Sequence, residues 1–552
     1  MNFAQQGSKT SQAADFDVVA IGGGFSGLYM IHSLREAGYS VRVYEAGGDV
    51  GGVWYWHRYP GLRCDVESFA YCYYFSEELY NEWTWTSRYP SQPEILRYIN
   101  FVADKFDLRR DIQFNTRINA AHYDEVNERW QIYLNDGTSV TAKFFIPTVG
   151  GLTSAPNVPN FKGLHSFEGE WYHTGNWPKE KVNFKGKRVG VIGTGSSGMQ
   201  VIPEIAKEAD HLTVFQRTPQ YSIPAGNHEL DPEYVRQRKA NFKELKQQIR
   251  NSRTGDFKRL IDKSALAVTE EERLQEFESA WEKGGGLPRY NDLFTNEEAN
   301  QTYGDFVRSK ISEIVRDPEV AQKLMPNYHF GTKRIALSTN YYETYNRDNV
   351  TLIDIKKAPI EEITPMGVRT TEKEYKLDAL VFATGYDAIT GPLFKIDIRG
   401  RNGVALKEKW NHGGEISTYL GLAIDGFPNL FMVAGAEGPG AVVNNLVVIE
   451  SNVEWIIDCL NHLREQGINT IEARPEAAAD WSKSVAEAAN ATLFVKTESW
   501  WTGANIPDKP RGFPIYLGGF DKYNQICKEV ADKGYAGFSL SVNKKEEVNS
   551  LN

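Results

Sequence analysis

The sequence predicts an α/β fold made of two dinucleotide-binding, Rossmann-like domains, the second carrying a helical insertion. Three observations carry that prediction. A short apolar run, Phe16 to Ile21, leads into Gly22, Gly24 and Gly27 and then into LYMIHSLREAGY, whose apolar residues recur at helical spacing. The same unit returns at Lys187 to Ile192, followed by Gly193, Gly195 and Gly198. Between about residues 227 and 329 the composition turns to charged helical sequence.

A chain of 552 residues exceeds what one hydrophobic core serves, so two or three domains are expected. The net charge of -10, from 62 basic and 72 acidic side chains, favours solubility and gives no general attraction to nucleic acid. Cys64, Cys72, Cys459 and Cys527 show neither C-x-x-C nor metal-ligand spacing, so no redox dithiol and no metal is expected, and a reducing cytoplasm fits. The segment MNFAQQGSKTSQAAD lacks an apolar signal core, and no run of about 18 apolar residues is present to span a bilayer.

In the first unit the leading glycine permits the turn, the second lets a pyrophosphate approach the backbone, and the third packs helix on strand. The helix N-terminus then holds the phosphates. SVRVYE delivers Glu45 at a strand end, 23 positions after Gly22, where a carboxylate bonds unmodified ribose hydroxyls. FAD or NAD satisfies it. In the second unit HLTVF delivers Gln216, Arg217 and Thr218 to the matching place, again 23 positions from Gly193 to Gln216. A cation beside a neutral residue accepts a 2'-phosphate, so this site is read as NADP-binding. One glycine fingerprint is weak evidence, whereas two with contrasting ribose readers indicate a two-dinucleotide oxidoreductase.

Within the insertion, Asp231-Pro232 starts a helix with Val235, Phe242, Leu245 and Ile249 on one face, and capping boxes at Thr269 with Glu272 and Thr295 with Glu298 start further helices. The second domain resumes near Phe330. LDALVFATGYD reads as the return to the first domain, followed by a buried strand in FPNLFMVAGAEGPG and the helix NLVVIESNVEWIIDCL, whose N-terminal dipole suits an electron-rich ring. The expected boundaries are a disordered tail over 1–14, the first domain over 15–150 and 379–541, the second over 151–226 and 330–378, the insertion over 227–329, and a tail over 542–552. A mobile loop is expected near 490–515.

Phe167, Gly169, His173, Trp177 and Pro178 form Phe-x-Gly-x-x-x-His-x-x-x-Trp-Pro, and this pattern resembles the fingerprint of type I Baeyer-Villiger monooxygenases. Taken alone, His173 reads as an interior histidine. A second, independent pattern, Gly51, Gly52, Trp54, Tyr59, Pro60, Gly61 and Asp65, resembles the same family, and Ala383-Thr384-Gly385 resembles the ATG motif of two-dinucleotide flavoproteins. The resemblance spans about Phe16 to Ser541. It implies FAD and NADPH as cofactors, O2 and a ketone as substrates, and an ester or lactone as product. Trp54, Trp56 and Tyr59 read by default as core aromatics, of which some, Trp54 and Tyr59 among them, are expected beside the flavin, and the fingerprint is expected to act as an interdomain hinge.

By the same resemblance Arg334, in Thr332-Lys333-Arg334, is the catalytic cation, Asp65 is the acid beside it, and Lys333 joins Arg217 at the NADP 2'-phosphate. Trp500 matches the tryptophan of the family's mobile loop, with Trp501 beside it leaving open which indole docks. Val443 and Leu446, in GPGAVVNNL, are expected to line the pocket for an uncharged ketone. The implied chemistry needs an anionic flavin peroxide, which a permanently charged guanidinium stabilises in a water-poor pocket. Three alternatives share parts of the pattern. They are a flavin monooxygenase acting on amines or sulfides, a disulfide reductase, which lacks its cysteine pair here, and a non-catalytic dinucleotide-binding protein. Ketone identity, selectivity and oligomeric state stay open.

Overall fold

The computed structural model describes residues 13–151, 156–257 and 261–542. The expected tails therefore lie, apart from residues 13, 14 and 542, outside the described residues.

Two large sheets, the first mixed and the second parallel, organise the chain. The first runs, in spatial order, Asp397–Arg399, Ile118–Asp124, Arg129–Leu134, Ser139–Ile146, Phe16–Ile21, Val41–Tyr44 and Ile112–Gln113. Phe16–Ile21 pairs in parallel with Val41–Tyr44 and with Ser139–Ile146. Its Val18, Val19 and Ala20 are fully buried because elements cover both faces, and that is why the strand reads as a continuous apolar run. The helix Phe25–Glu36 lies against this sheet together with the long helix Asn445–Glu465.

The second sheet is parallel throughout, in the order Val350–Asp354, His211–Gln216, Arg188–Ile192, Ala379–Phe382 and Glu170–His173. The helix Ser196–Glu208 packs on it, burying Met199, Val201, Ile202 and Ile205. One expectation is corrected here. The apolar strand of LDALVFATGYD does not return to the first sheet: Ala379–Phe382 is inserted between Arg188–Ile192 and the fingerprint strand Glu170–His173. An apolar run buried on both faces fits either sheet equally well, so its composition alone could not assign it.

The insertion also departs from expectation. Its first helical stretch is two helices, Pro232–Ala240 and Phe242–Arg250, broken at Asn241. Phe242, Leu245 and Ile249 are buried against the first core, where Phe242 meets Tyr74 and Tyr80, while Phe277, Tyr303 and Phe306 join the second. The insertion thus touches both halves. Asp231 and Thr269 cap as expected, accepting from the backbone N–H of Glu233 and of Glu272. The third cap is Asn296 rather than Thr295: Asn296 accepts from the Ala299 N–H, and the Thr295 hydroxyl is taken by the Asp292 carbonyl. No strand forms in FPNLFMVAGAEGPG. Leu430 makes only an isolated bridge to Phe145, although Phe427 to Val433 are buried.

All four cysteines are buried and free. Among the described residues, no helix is long and apolar enough to cross a membrane.

Candidate active site

A cavity of about 560 Å³ runs along the first glycine turn and on to the place where the two halves meet. At one end lie Gly22, Gly24 and Glu45; at the other lie Arg334, Leu446 and Trp500.

The first turn is already complete. Gly22 has φ +97°, a region that favours glycine, and a Cβ on Gly27 would stand 1.9 Å from the Gly22 carbonyl oxygen. Glu45 is buried, with Oε2 accepting from the Gly23 N–H at 2.7 Å and Oε1 from the Gly47 N–H at 2.5 Å. The carboxylate therefore braces the turn as well as facing the cavity.

The second turn repeats the backbone, with Gly193 at φ +108° and Gly198 packed 2.3 Å from the Gly193 carbonyl in the same sense. Around Gly195 the space that a Cβ would fill is open. Here Gln216, the counterpart of Glu45, turns away and donates to the Lys323 carbonyl. Arg217 is exposed. Thr218 presents its carbonyl to the Thr194 hydroxyl at 3.2 Å. Lys333 sits over the Tyr328 ring, and burial together with the positive charge of Arg217 lowers its pKa. Cations brought close enough to repel, with an open glycine turn beside them, are a donor set suited to a phosphate dianion.

Arg334 lines the cavity and is held from behind. Its Nε and Nη2 both donate to Asp65 Oδ2, at 3.0 and 2.7 Å, and Nη1 donates to the Ala441 carbonyl at 3.3 Å. The Asp65 charge raises the arginine's already high pKa further. A guanidinium fixed in this way presents a permanent positive charge to the cavity.

The remaining expected residues divide. Trp500 lines the cavity, on a short turn started by Ser499, whereas Trp501 is buried against Phe494. Leu446 lines it, but Val443 does not: Val443 packs where a Cβ on Gly255 would meet it at 2.9 Å. Trp54 and Tyr59 are not in the cavity wall. Trp54 stands behind it, donating through Nε1 to the hydroxyl of Tyr71, which does line it. Tyr59 crosses into the second core, where its hydroxyl donates to Gln200 Oε1 at 2.8 Å. The two aromatics brace the wall and join the halves, which their default reading as core residues anticipates.

Ala383, Thr384 and Gly385 lie behind the second glycine turn; the Ala383 carbonyl is where a Cβ on Gly193 would clash, and Gly385 has φ +81°. The Thr384 hydroxyl donates to the Asn157 carbonyl at 2.6 Å. His173 is buried, its Nδ1 accepting from the Gly175 N–H and its Nε2 3.3 Å from Thr384 Oγ1, and burial lowers its pKa to about 4. Phe167 and Trp177 are buried, and a Cβ on Gly169 would lie 2.5 Å from the Asp378 carbonyl. The fingerprint reaches the cavity only through Gly175 and Asn176.

Of Trp54, Trp56 and Tyr59 in the motif from Gly51 to Asp65, Trp56 is the one in the wall. Several other wall residues escaped the sequence reading. Ile449 falls one turn beyond Leu446 on the helix Asn445–Glu465, so helical spacing points to it. Pro514 and Ile515 come from irregular chain with no periodicity to betray them.

Residues 16–232 match the flavin-binding monooxygenase-like family model. The chain is 44% identical to a Baeyer-Villiger monooxygenase of Pseudooceanicola batsensis, over 97% of this chain and 98% of that protein. It is 43% identical to a cyclohexanone 1,2-monooxygenase from Acinetobacter sp., with the same coverage. The solved structure of an oxidized steroid monooxygenase bound to NADP superposes with a TM-score of 0.92 at 47% identity, covering 96% of this chain and all of that one. Likeness that runs through both sheets, the insertion and the loop around Trp500 is likeness of the whole protein, and the chain belongs to the Baeyer-Villiger monooxygenases.

Proposed function

We propose that the chain uses FAD, NADPH and O2 to convert ketones to esters or lactones, with Arg334 as the charge that stabilises negative oxygen during the reaction. It is an NADPH-dependent flavoprotein monooxygenase. The observation that carries the assignment of Arg334 is its doubly bonded attachment to Asp65 at the wall of the cavity. FAD, when bound, supplies the ring that NADPH reduces and at which O2 is activated. Gly22, Gly24 and the N-terminus of the helix Phe25–Glu36 would hold its pyrophosphate, and Glu45 its ribose hydroxyls. Gly193, Gly195, Arg217 and Lys333 would hold NADPH.

The chain's own contributions derive from position. Arg334 cannot lose its proton, so it keeps a positive charge at the cavity wall, where it would stabilise negative charge on oxygen and polarise a ketone carbonyl. Asp65 keeps the guanidinium aimed. Leu446, Ile449 and Ile515 offer an apolar end for an uncharged carbonyl compound and exclude water. Residues 15–150 with those from 397 onward form the flavin half, and the second sheet forms the NADP half. The four reduced cysteines suit a cytoplasmic location.

The test is a conversion screen of the FAD-loaded protein against cyclic, linear and aryl ketones with NADPH. Ketone-stimulated oxygen uptake with one ester per NADPH is the expected result. Oxygenation of amines or sulfides with no ester from any ketone would replace this reading.

A further inference from the structure

Tyr386 follows the Ala383-Thr384-Gly385 turn and lies outside the cavity wall, yet three distant stretches converge on it. His57, from the flavin-side motif, stacks on its ring with centroids 5.0 Å apart and planes 13° apart. His173 of the fingerprint meets the same ring edge-on at 6.0 Å. The fit is close, since a Cβ on Gly175 would come within 2.5 Å of the ring. On its other side Tyr386 faces the loop that carries Trp500. Asn505 donates to the Tyr386 carbonyl at 2.7 Å, Lys509 pairs with the carboxylate of Asp387, and Lys509 also donates to the Ala388 carbonyl at 3.1 Å. Among the described residues, the side-chain hydrogen bonds that leave 498–512 all end on Tyr386, Asp387 and Ala388.

We propose that Tyr386 is a positioning residue for the Trp500 loop: its ring, wedged between His57 and His173, fixes the 386–388 backbone to which Asn505 and Lys509 fasten. The inference deepens the proposed function, on which the importance of the loop rests. The wedge acts through shape more than through the hydroxyl: Tyr386 Oη is buried and makes no hydrogen bond within 3.5 Å, with the hydroxyls of Thr174 and Ser197 only at longer range. Losing a buried hydroxyl with only long contacts costs little, whereas losing the ring leaves a cavity between two imidazoles and frees the backbone to shift. His57 and His173 are both held neutral by burial, so the clamp on the ring is one of packing and not of charge.

The experiment compares Tyr386→Ala, Tyr386→Phe, Lys509→Met and the double variant Y386A/K509M, as FAD-loaded full-length protein with saturating NADP⁺. Two quantities are read: the rate of tryptic cleavage after exposed Arg511, and the hydrogen peroxide released per NADPH with cyclohexanone present. Tyr386→Ala and Lys509→Met should each speed cleavage by at least about threefold, and the double variant should be no faster than either, because both open the same docking. Both single variants should release more peroxide. Tyr386→Phe should match the parent in both readings.

Parent-like cleavage in Tyr386→Ala overturns the proposal, as does a phenylalanine variant as loose as alanine, or multiplicative effects in the double variant. Should Tyr386→Ala fail to fold, the phenylalanine variant and His57→Ala decide it, since His57→Ala removes one jaw of the clamp and should also speed cleavage; a parent rate there overturns the proposal. Cleavage needs no turnover. A parent protein that makes no ester would therefore sink the functional reading and leave the cleavage comparison standing.

Discussion

The two glycine turns share a backbone and differ in how finished they are. At the first, the ribose reader is buried and both of its oxygens are already occupied by backbone amides. At the second, Gln216 is turned inward and spent on the Lys323 carbonyl, while Arg217 is exposed and Lys333 lies close enough to be repelled by it. A cofactor that stays through many turnovers suits a preorganised site, and one that must enter and leave suits cations that close on it when it comes. Under the proposed function, the same fold would serve a resident and a visitor by changing the few residues at the end of one strand.

The strongest way to break that contrast is at Arg334, which comes from the chain of the second half and is held by Asp65 of the first. Arg334→Ala should lower ester formation by roughly 10²–10³-fold or more, the scale for losing a preorganised charge at a developing anion. Anaerobic flavin reduction by NADPH, followed by rapid mixing, should slow much less. Arg334→Lys should recover little, because it lacks the planar fork that Asp65 grips. Parent-rate ester formation in the alanine variant would remove Arg334 from the mechanism.

The contrast sharpens at the ribose readers themselves. Glu45→Gln should weaken FAD retention by about 1.5–3 kcal/mol, the worth of hydrogen bonds to a charged group, since both turn amides lose their carboxylate. Fluorescence titration of the apoprotein measures it. Arg217→Ala should raise the Michaelis constant for NADPH by about tenfold and leave that for NADH unchanged, a smaller effect because the guanidinium is exposed. An unchanged ratio of the two cofactors would show that the second turn does not read the phosphate through Arg217.

The smallest effect concerns a loop of the flavin side. Glu437 is buried beside the cavity residues Ala436 and Gly438, with Oε2 accepting from the Thr418 N–H and hydroxyl and from the Ser482 hydroxyl. Burial nonetheless pushes its carboxyl up to about 7. The folded chain then holds a proton that the unfolded chain has lost, so this group's stabilisation is complete below the ordinary carboxylate range and disappears as pH rises through about 7. Buried His57 and His173 act in the opposite sense below about pH 6.5, so the effect is read as a difference: the thermal midpoint of Glu437→Gln should gain on the parent's as pH rises from about 5 to 8. Glu450, raised to about 7 by burial, and Asp458, also raised by burial, act in the same direction. A pH profile identical to the parent's in the glutamine variant would contradict this account.

The sequence made the two turns legible because their geometry demands particular residues. Gly27 and Gly198 stand where a Cβ would collide with backbone, and no other residue type fits. The proposed roles of Glu45 and Arg217 come from the opposite charge preferences of ribose and phosphate. What stayed hidden depends on packing at a distance. Nothing in VWYWHRY distinguishes Trp56, which lines the cavity, from Trp54, which stands behind Tyr71. Tyr59 reaches Gln200 across 141 positions of chain, and no local pattern encodes that contact. The assignment of Ala379–Phe382 failed for a related reason, since an apolar strand specifies burial but not its neighbours.

That strand has a consequence for how the protein is made. Glu170–His173 leaves the ribosome about two hundred residues ahead of Ala379–Phe382, its partner in the sheet, and in that interval it has an unpaired edge. The strand Arg188–Ile192 waits on the same partner from the opposite side. A nascent chain stopped between residues 192 and 379 therefore carries two strands that lack the partner between them, and aggregation during synthesis becomes the expected fate of such truncated products. Exchanging the cofactor-binding half between relatives runs into the same feature: a graft cut at residue 232, where the family model ends, would leave behind the strand that joins Glu170–His173 to the rest of its sheet.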